Sequence, residues 1–216
     1  MARYRLAATL CLVAVVGGVA VGCDSSEPGT PTPGTSIASG TSPQTSDSQA
    51  PVTATSLPDA GVPKVADPLD ATKFLEDPCR SVTPAQVAQL KVGPGKRNED
   101  SFGTGCTWLN PQTTASVTVH FMSKFREGLS GIYRSHEAGK YPVFKPIADV
   151  GGFPAVIVGD QDGSSTGICT MFIGLSDDLA TLLSVKQSVD KVGTVDPCEV
   201  TEAVAPLVLQ TMKAGA

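Results

Sequence analysis

The sequence predicts an α+β fold: a single domain with one antiparallel sheet of about five strands, helices packed on one face, and two disulfides stapling helix N-termini to strands. Three observations predict it. The tripeptide Asp-Pro-Cys occurs twice, starting at Asp77 and at Asp196, 119 residues apart, each time ahead of an apolar-periodic run. Five stretches between the two copies read as strands joined by short turns, which favours antiparallel pairing. Four cysteines divide between the two helix starts (Cys79, Cys198) and two of the strands (Cys106, Cys169).

Each Asp-Pro-Cys is a helix start for a physical reason. The Asp side chain accepts an amide hydrogen that has no partner in the first turn. Pro at the first helical position loses nothing, because its missing N–H would have been unpaired there. After Cys79 the chain restarts at "TPAQVAQL", where Thr83 can cap, Pro84 again sits first, and Val87 and Leu90 face inward; "VGPG" then ends the helix. "GCTWLN" and "ASVTVHFM" read as a hairpin around "NPQT", with Val117, Val119 and Phe121 on one face. "FREGLSGIYRSHE" reads as a helix with Leu129, Ile132 and Tyr133 inward, and "YPVFKPI" as a short strand. "FPAVIVGD", "GICTMFIGL" and "ATLLSVKQS" read as three more strands. After Cys198, the positions Val200, Val204, Leu207, Val208 and Met212 trace one helical face, with Pro206 expected to kink it.

Pairing in chain order joins Cys79 to Cys106 and Cys169 to Cys198, although four cysteines permit three connectivities.

The first residues address the chain. Arg3 and Arg5 precede seventeen residues, Leu6 to Gly22, in which Thr9 interrupts an apolar run, so 1–22 reads as a secretory signal. "AVGC" at its end resembles a bacterial lipobox, which would make Cys23 the lipidated first residue of the mature chain. The cysteine count agrees: Cys11 leaves with the signal, Cys23 is acylated, and four remain for two bridges in an oxidising compartment. From 24 to 66 the chain has no aromatic residue and seven of its seventeen prolines, and reads as a disordered Ser/Thr/Pro-rich tether. As a coil its 43 residues reach roughly 35–40 Å. The domain then occupies 67–216.

Without Arg3 and Arg5, 14 basic residues face 21 acidic ones, a net charge near −7 with no basic stripe. That argues against nucleic acid as a partner and against adsorption on an anionic membrane, leaving the lipid as the means of attachment.

Chemistry-bearing residues are sparse. His120 is out of phase with Val119 and Phe121 and is expected on the solvated, helix-free face; His136 falls near a helix C-terminus, where a positive charge suits the macrodipole. Neither has metal-ligand spacing. There is no Gly-X-Ser-X-Gly elbow. The run from Asp160 to Ser164 lacks the carboxylate a calcium loop needs at its twelfth position, where Met171 stands, and reads as a hairpin turn. The sequence therefore predicts no enzyme, cofactor or metal. The candidate ligand rim is the irregular segment between the strand groups, with Tyr141, Phe144, Gly151, Gly152 and Phe153, together with Trp108, the single tryptophan.

These motifs together ("DPCRSVTPAQVAQL", "CTW" at Cys106–Trp108, "VGGFPA" at Val150–Ala155, "ICTMFI" and "DPCEVTEAVAPLVL") resemble the actinobacterial surface lipoproteins of domain-of-unknown-function family 3558. The resemblance implies a surface lipoprotein domain with no assigned reaction and no catalytic residues to carry over. The expectation is a lipid-anchored extracytoplasmic domain that binds a small apolar or cell-wall ligand. The alternatives are an interaction module of an envelope complex or, less favoured, a hydrolase of unfamiliar layout.

Overall fold

A computed structural model describes residues 56–160 and 163–215. The signal, Cys23 and the tether as far as residue 55 lie outside the described residues.

The first helices are short. α1 is Thr72–Glu76, a 3-10 turn follows at Pro78–Ser81, and α2 is Pro84–Gln89. The strands β1 (Gly95–Glu99), β2 (Thr104–Leu109) and β3 (Ser116–Phe121) form one meander. After α3 (Ser130–Glu137) a second meander runs through β4 (Val143–Val150), β5 (Phe153–Gly159), β6 (Ile168–Gly174) and β7 (Ala180–Lys186). α4, Pro197–Gly215, closes the domain. The meanders join where β3 pairs with β7, giving one antiparallel sheet of seven strands in the order β1-β2-β3-β7-β6-β5-β4.

The sheet has seven strands rather than about five: β1 gives no strand signal, and the short strand read at "YPVFKPI" extends into a full edge strand, β4. β1 reads GKRNE and is exposed throughout, so it carries no alternation. β4 contains Pro146, which an edge strand tolerates because one row of its amides faces away from the sheet.

The helices do not all gather on one face. α1, α2 and α4 cover one side, where Trp108, Phe121, Met171, Leu183, Leu209 and Met212 form the larger core. On the other side, Leu129 and Ile132 at the start of α3 pack against Val156, Val158 and Phe172. β5 is the cause: its run FPAVIV is buried at every position, so both of its faces need a cover.

Both predicted caps are present. Asp77 Oδ1 accepts the Cys79 amide at 3.1 Å and Asp196 Oδ1 accepts the Cys198 amide at 2.8 Å. The first opens a 3-10 turn rather than a full helix. Thr83 and Gln86 form a reciprocal capping box. Gln86 then donates to the Leu207 carbonyl at 2.8 Å and accepts from Thr211 at 2.8 Å, tying α2 to α4. α4 continues through Pro206 from end to end.

The disulfides are Cys79–Cys106 and Cys169–Cys198, each tying a capped turn to a strand. The packed chain begins ahead of residue 67. Val65 is buried, its amide donating to Asp177 at 2.9 Å, and Asp59 donates its amide to Ser130 of α3 at 2.9 Å.

Candidate functional site

The six expected rim residues do not converge. Gly151 and Gly152, at φ +62° and +92°, make the two-residue turn between β4 and β5, a conformation that favours glycine. Phe153 is buried in the larger core, with Lys213 Nζ 5.1 Å from its ring centre. Tyr141 and Phe144 belong to the opposite face. There Phe144 lies flat on His136 at 4.0 Å and meets the Tyr133 ring edge-on at 4.9 Å. Burial pushes the phenols of Tyr133 and Tyr141 above their ordinary range, with the Asp160 charge adding to the effect at Tyr141. His136 Nδ1 lies 2.9 Å from the Tyr141 carbonyl.

Trp108 lies at a different opening. Only 2 % of it is exposed, and its Cα faces that of Gly95 across the β1–β2 ladder. A Cβ at Gly95 would come within 2.6 Å of the indole Nε1 and 2.7 Å of Cys106 Sγ, so glycine is what lets β1 lie this close against the indole and the disulfide. Among the described residues the indole N–H donates no hydrogen bond. Beside it an open groove of about 590 Å³ is walled by Val82, Pro84, Val87, Val92 and Pro94. That size falls within the range of small-molecule sites.

The groove has two ends. Arg80 and Thr83 border both the groove and an adjoining cleft of about 440 Å³ that also carries Lys73, Gln86 and Thr211. At the other end Val92 also borders a largely apolar depression of about 220 Å³ walled by Leu90, Val117, Val185 and Val204, with Lys186 and Lys191 also along it. Residue chemistry alone did not reveal this site, because its walls are ordinary aliphatics. The usable signal was Gly93-Pro94-Gly95, two glycines flanking a proline just before a polar strand.

A larger cleft of about 690 Å³ lies beside the Cys169–Cys198 bridge and is lined by Asp160, Asp196 and Lys145. Two of these groups are engaged: Asp196 caps Cys198, and Lys145 pairs with Glu202 at 3.5 Å. Its rim adjoins residues 161 and 162, which lie outside the described residues.

His120 lies on the face opposite Val119, as alternation predicts, but it is buried rather than solvated. Only 7 % of it is exposed, because Gly105 leaves room for the ring beside β2. Its Nε2 approaches Asp100 Oδ1 at 3.4 Å without the geometry of a hydrogen bond. Burial holds the imidazole below its ordinary pKa, against the opposing pull of Asp100. Asp100 itself stays low: burial works upward, but the amides of Phe102 and Gly103 and the charges of His120 and Lys124 outweigh it.

The sign of the pH effect follows. A histidine depressed in the folded state binds its proton more readily when unfolded, so stability falls as pH drops below about 6.5 toward the folded value. Denaturant titrations at a series of pH values check this. His120→Gln is expected to flatten the loss between neutrality and pH 5, and an unchanged slope would contradict the assignment.

Among the described residues no three His, Cys, Asp or Glu side chains gather as metal ligands, and no helix is long and apolar enough to cross a membrane.

The fold and the groove define the class: a single-domain, disulfide-bonded α+β sheet protein with an apolar cleft along one sheet edge. The chain belongs to the family described as protein of unknown function (DUF3558), whose model matches residues 18–211. No curated protein and no solved structure matches it.

Proposed function

We propose that this protein is a lipid-anchored extracytoplasmic binding domain, non-enzymatic, whose groove beside Trp108 takes a small apolar or cell-wall ligand. One observation carries the reading. Trp108 lines an aliphatic groove with its N–H unpaired by any described residue, and Gly95 lets β1 lie close against the indole. The N–H is not fully buried, so water reaches it from the groove, and a bound acceptor oxygen would take the water's place. The Cys23 anchor is part of the proposal; the charged start, apolar run and "AVGC" of the N-terminus support it.

Native mass spectrometry of the chain purified from its own membranes is the test. The expected spectrum contains a non-covalent adduct that disappears when Val87→Trp fills the groove. An adduct-free mass across lipid and cell-wall extracts would contradict the reading.

A second reading, an interaction module of an envelope complex, has its own support. Phe102 and Phe125 stand 48 % and 52 % exposed with ring centres 5.6 Å apart, an aromatic pair of the kind protein interfaces favour. Crosslinking in intact cells from position 125 separates the two: one recurrent protein partner would favour the module.

A further inference from the structure

We infer that the groove selects single-chain amphiphiles with an anionic headgroup, a phosphate or a carboxylate; this deepens the proposed function and rests on it.

The inference begins with charge. The chain is acidic overall, yet no carboxylate side chain lines either the groove or the cleft that adjoins it. Both are bordered by Arg80, and the cleft also by Lys73. Lys73 Nζ donates to the Gly215 carbonyl at 2.9 Å, which keeps a second positive charge on this wall. The Arg80 amide donates to the Asp77 carbonyl, but among the described residues its guanidinium makes no ion pair and no hydrogen bond. A guanidinium presents a planar fork suited to two oxygens of one phosphate or carboxylate.

The rest of the groove suits what such a head would carry. From Arg80 its walls are aliphatic (Val82, Val87, Val92), and past Val92 the depression extends the path over Val117, Val185 and Val204, with exposed Lys186 and Lys191 beside it. Between the ends, the Trp108 N–H offers one donor to an oxygen along the chain. A cation, an aliphatic path and a single interior donor match an amphiphile's head, tail and linking oxygen. The site is a concave slot for one molecule. A bilayer surface fits it poorly, since the acidic remainder of the domain would be repelled by anionic lipid.

The test uses the full mature chain, titrated by calorimetry with dodecyl phosphate and with dodecyl maltoside, both below micelle-forming concentrations. Dodecyl phosphate is expected to bind on the order of tenfold more tightly, the scale of one charge-assisted contact. Arg80→Gln should abolish the preference for the phosphate over the maltoside, while Arg80→Lys restores part of it. Equal affinities, or a phosphate preference that survives Arg80→Gln, overturn the headgroup inference and leave the groove reading standing. No binding of either amphiphile overturns both. Association with anionic vesicles alone, and with neither free amphiphile, also overturns it, because the partner would then be the bilayer.

Discussion

Phe121→Ala is expected to destabilise the domain by about 3–5 kcal/mol, the range for truncating a fully buried phenylalanine. Phe121 is fully buried at the end of β3, which joins the two meanders, and its ring stacks near Phe74 of α1 at 6.5 Å between centres. The substitution removes packing from the larger core and loosens the contact that holds α1 on the sheet. In a domain of this size the loss lowers the midpoint of thermal unfolding by roughly 10–15 °C. Scanning calorimetry of the two proteins measures it. A shift of only a few degrees would mean that α1 is not held on the sheet through this residue.

Removing the Cys79–Cys106 bridge by replacing both residues with alanine is expected to cost about 3.5 kcal/mol by loop entropy, with its 27-residue separation. The consequence reaches further than stability. This bridge positions the turn that carries Arg80, and Cys79 lines the groove together with Trp108. The Cys169–Cys198 bridge has a similar separation, 29 residues, but borders the other cleft. Urea titrations of the two double-alanine variants should therefore show similar losses of stability. Ligand affinity should fall only when Cys79–Cys106 is removed. Equal loss of affinity in both would place the binding surface elsewhere.

Much of this fold was legible because its signals are local. Asp77, Thr83 and Asp196 announce helix starts through their own side chains, and each is seen accepting the amide predicted for a cap. Val117, Val119 and Phe121 alternate because β3 has one core face, and the alternation survives in the register. The disulfides followed chain order because each joins a capped turn to a strand about thirty residues away.

What escaped depends on contacts between distant segments. β1 is polar along its whole length and becomes a strand because β2 offers it an edge to pair with. The continuous apolar run of β5 does not say which helix covers which face, and α3 covers the face opposite α4. The rim from Tyr141 to Phe153 was read from proline, glycine and aromatic content, but its glycines make a tight hairpin and its aromatics pack inward on opposite sides. Trp108 was singled out as the lone tryptophan. Its close packing, however, depends on Gly95 lying across the ladder, a register relation that spacing along the chain does not reveal.

With one tryptophan in the chain, a single indole N–H resonance reports on the groove directly. Proton–nitrogen spectra recorded while dodecyl phosphate is added should show that resonance moving downfield and saturating, as the donor gains an acceptor, with Trp108→Phe weakening the binding. An indole signal that stays in place while calorimetry registers saturable binding would contradict the account, since the ligand would then sit where Trp108 does not reach.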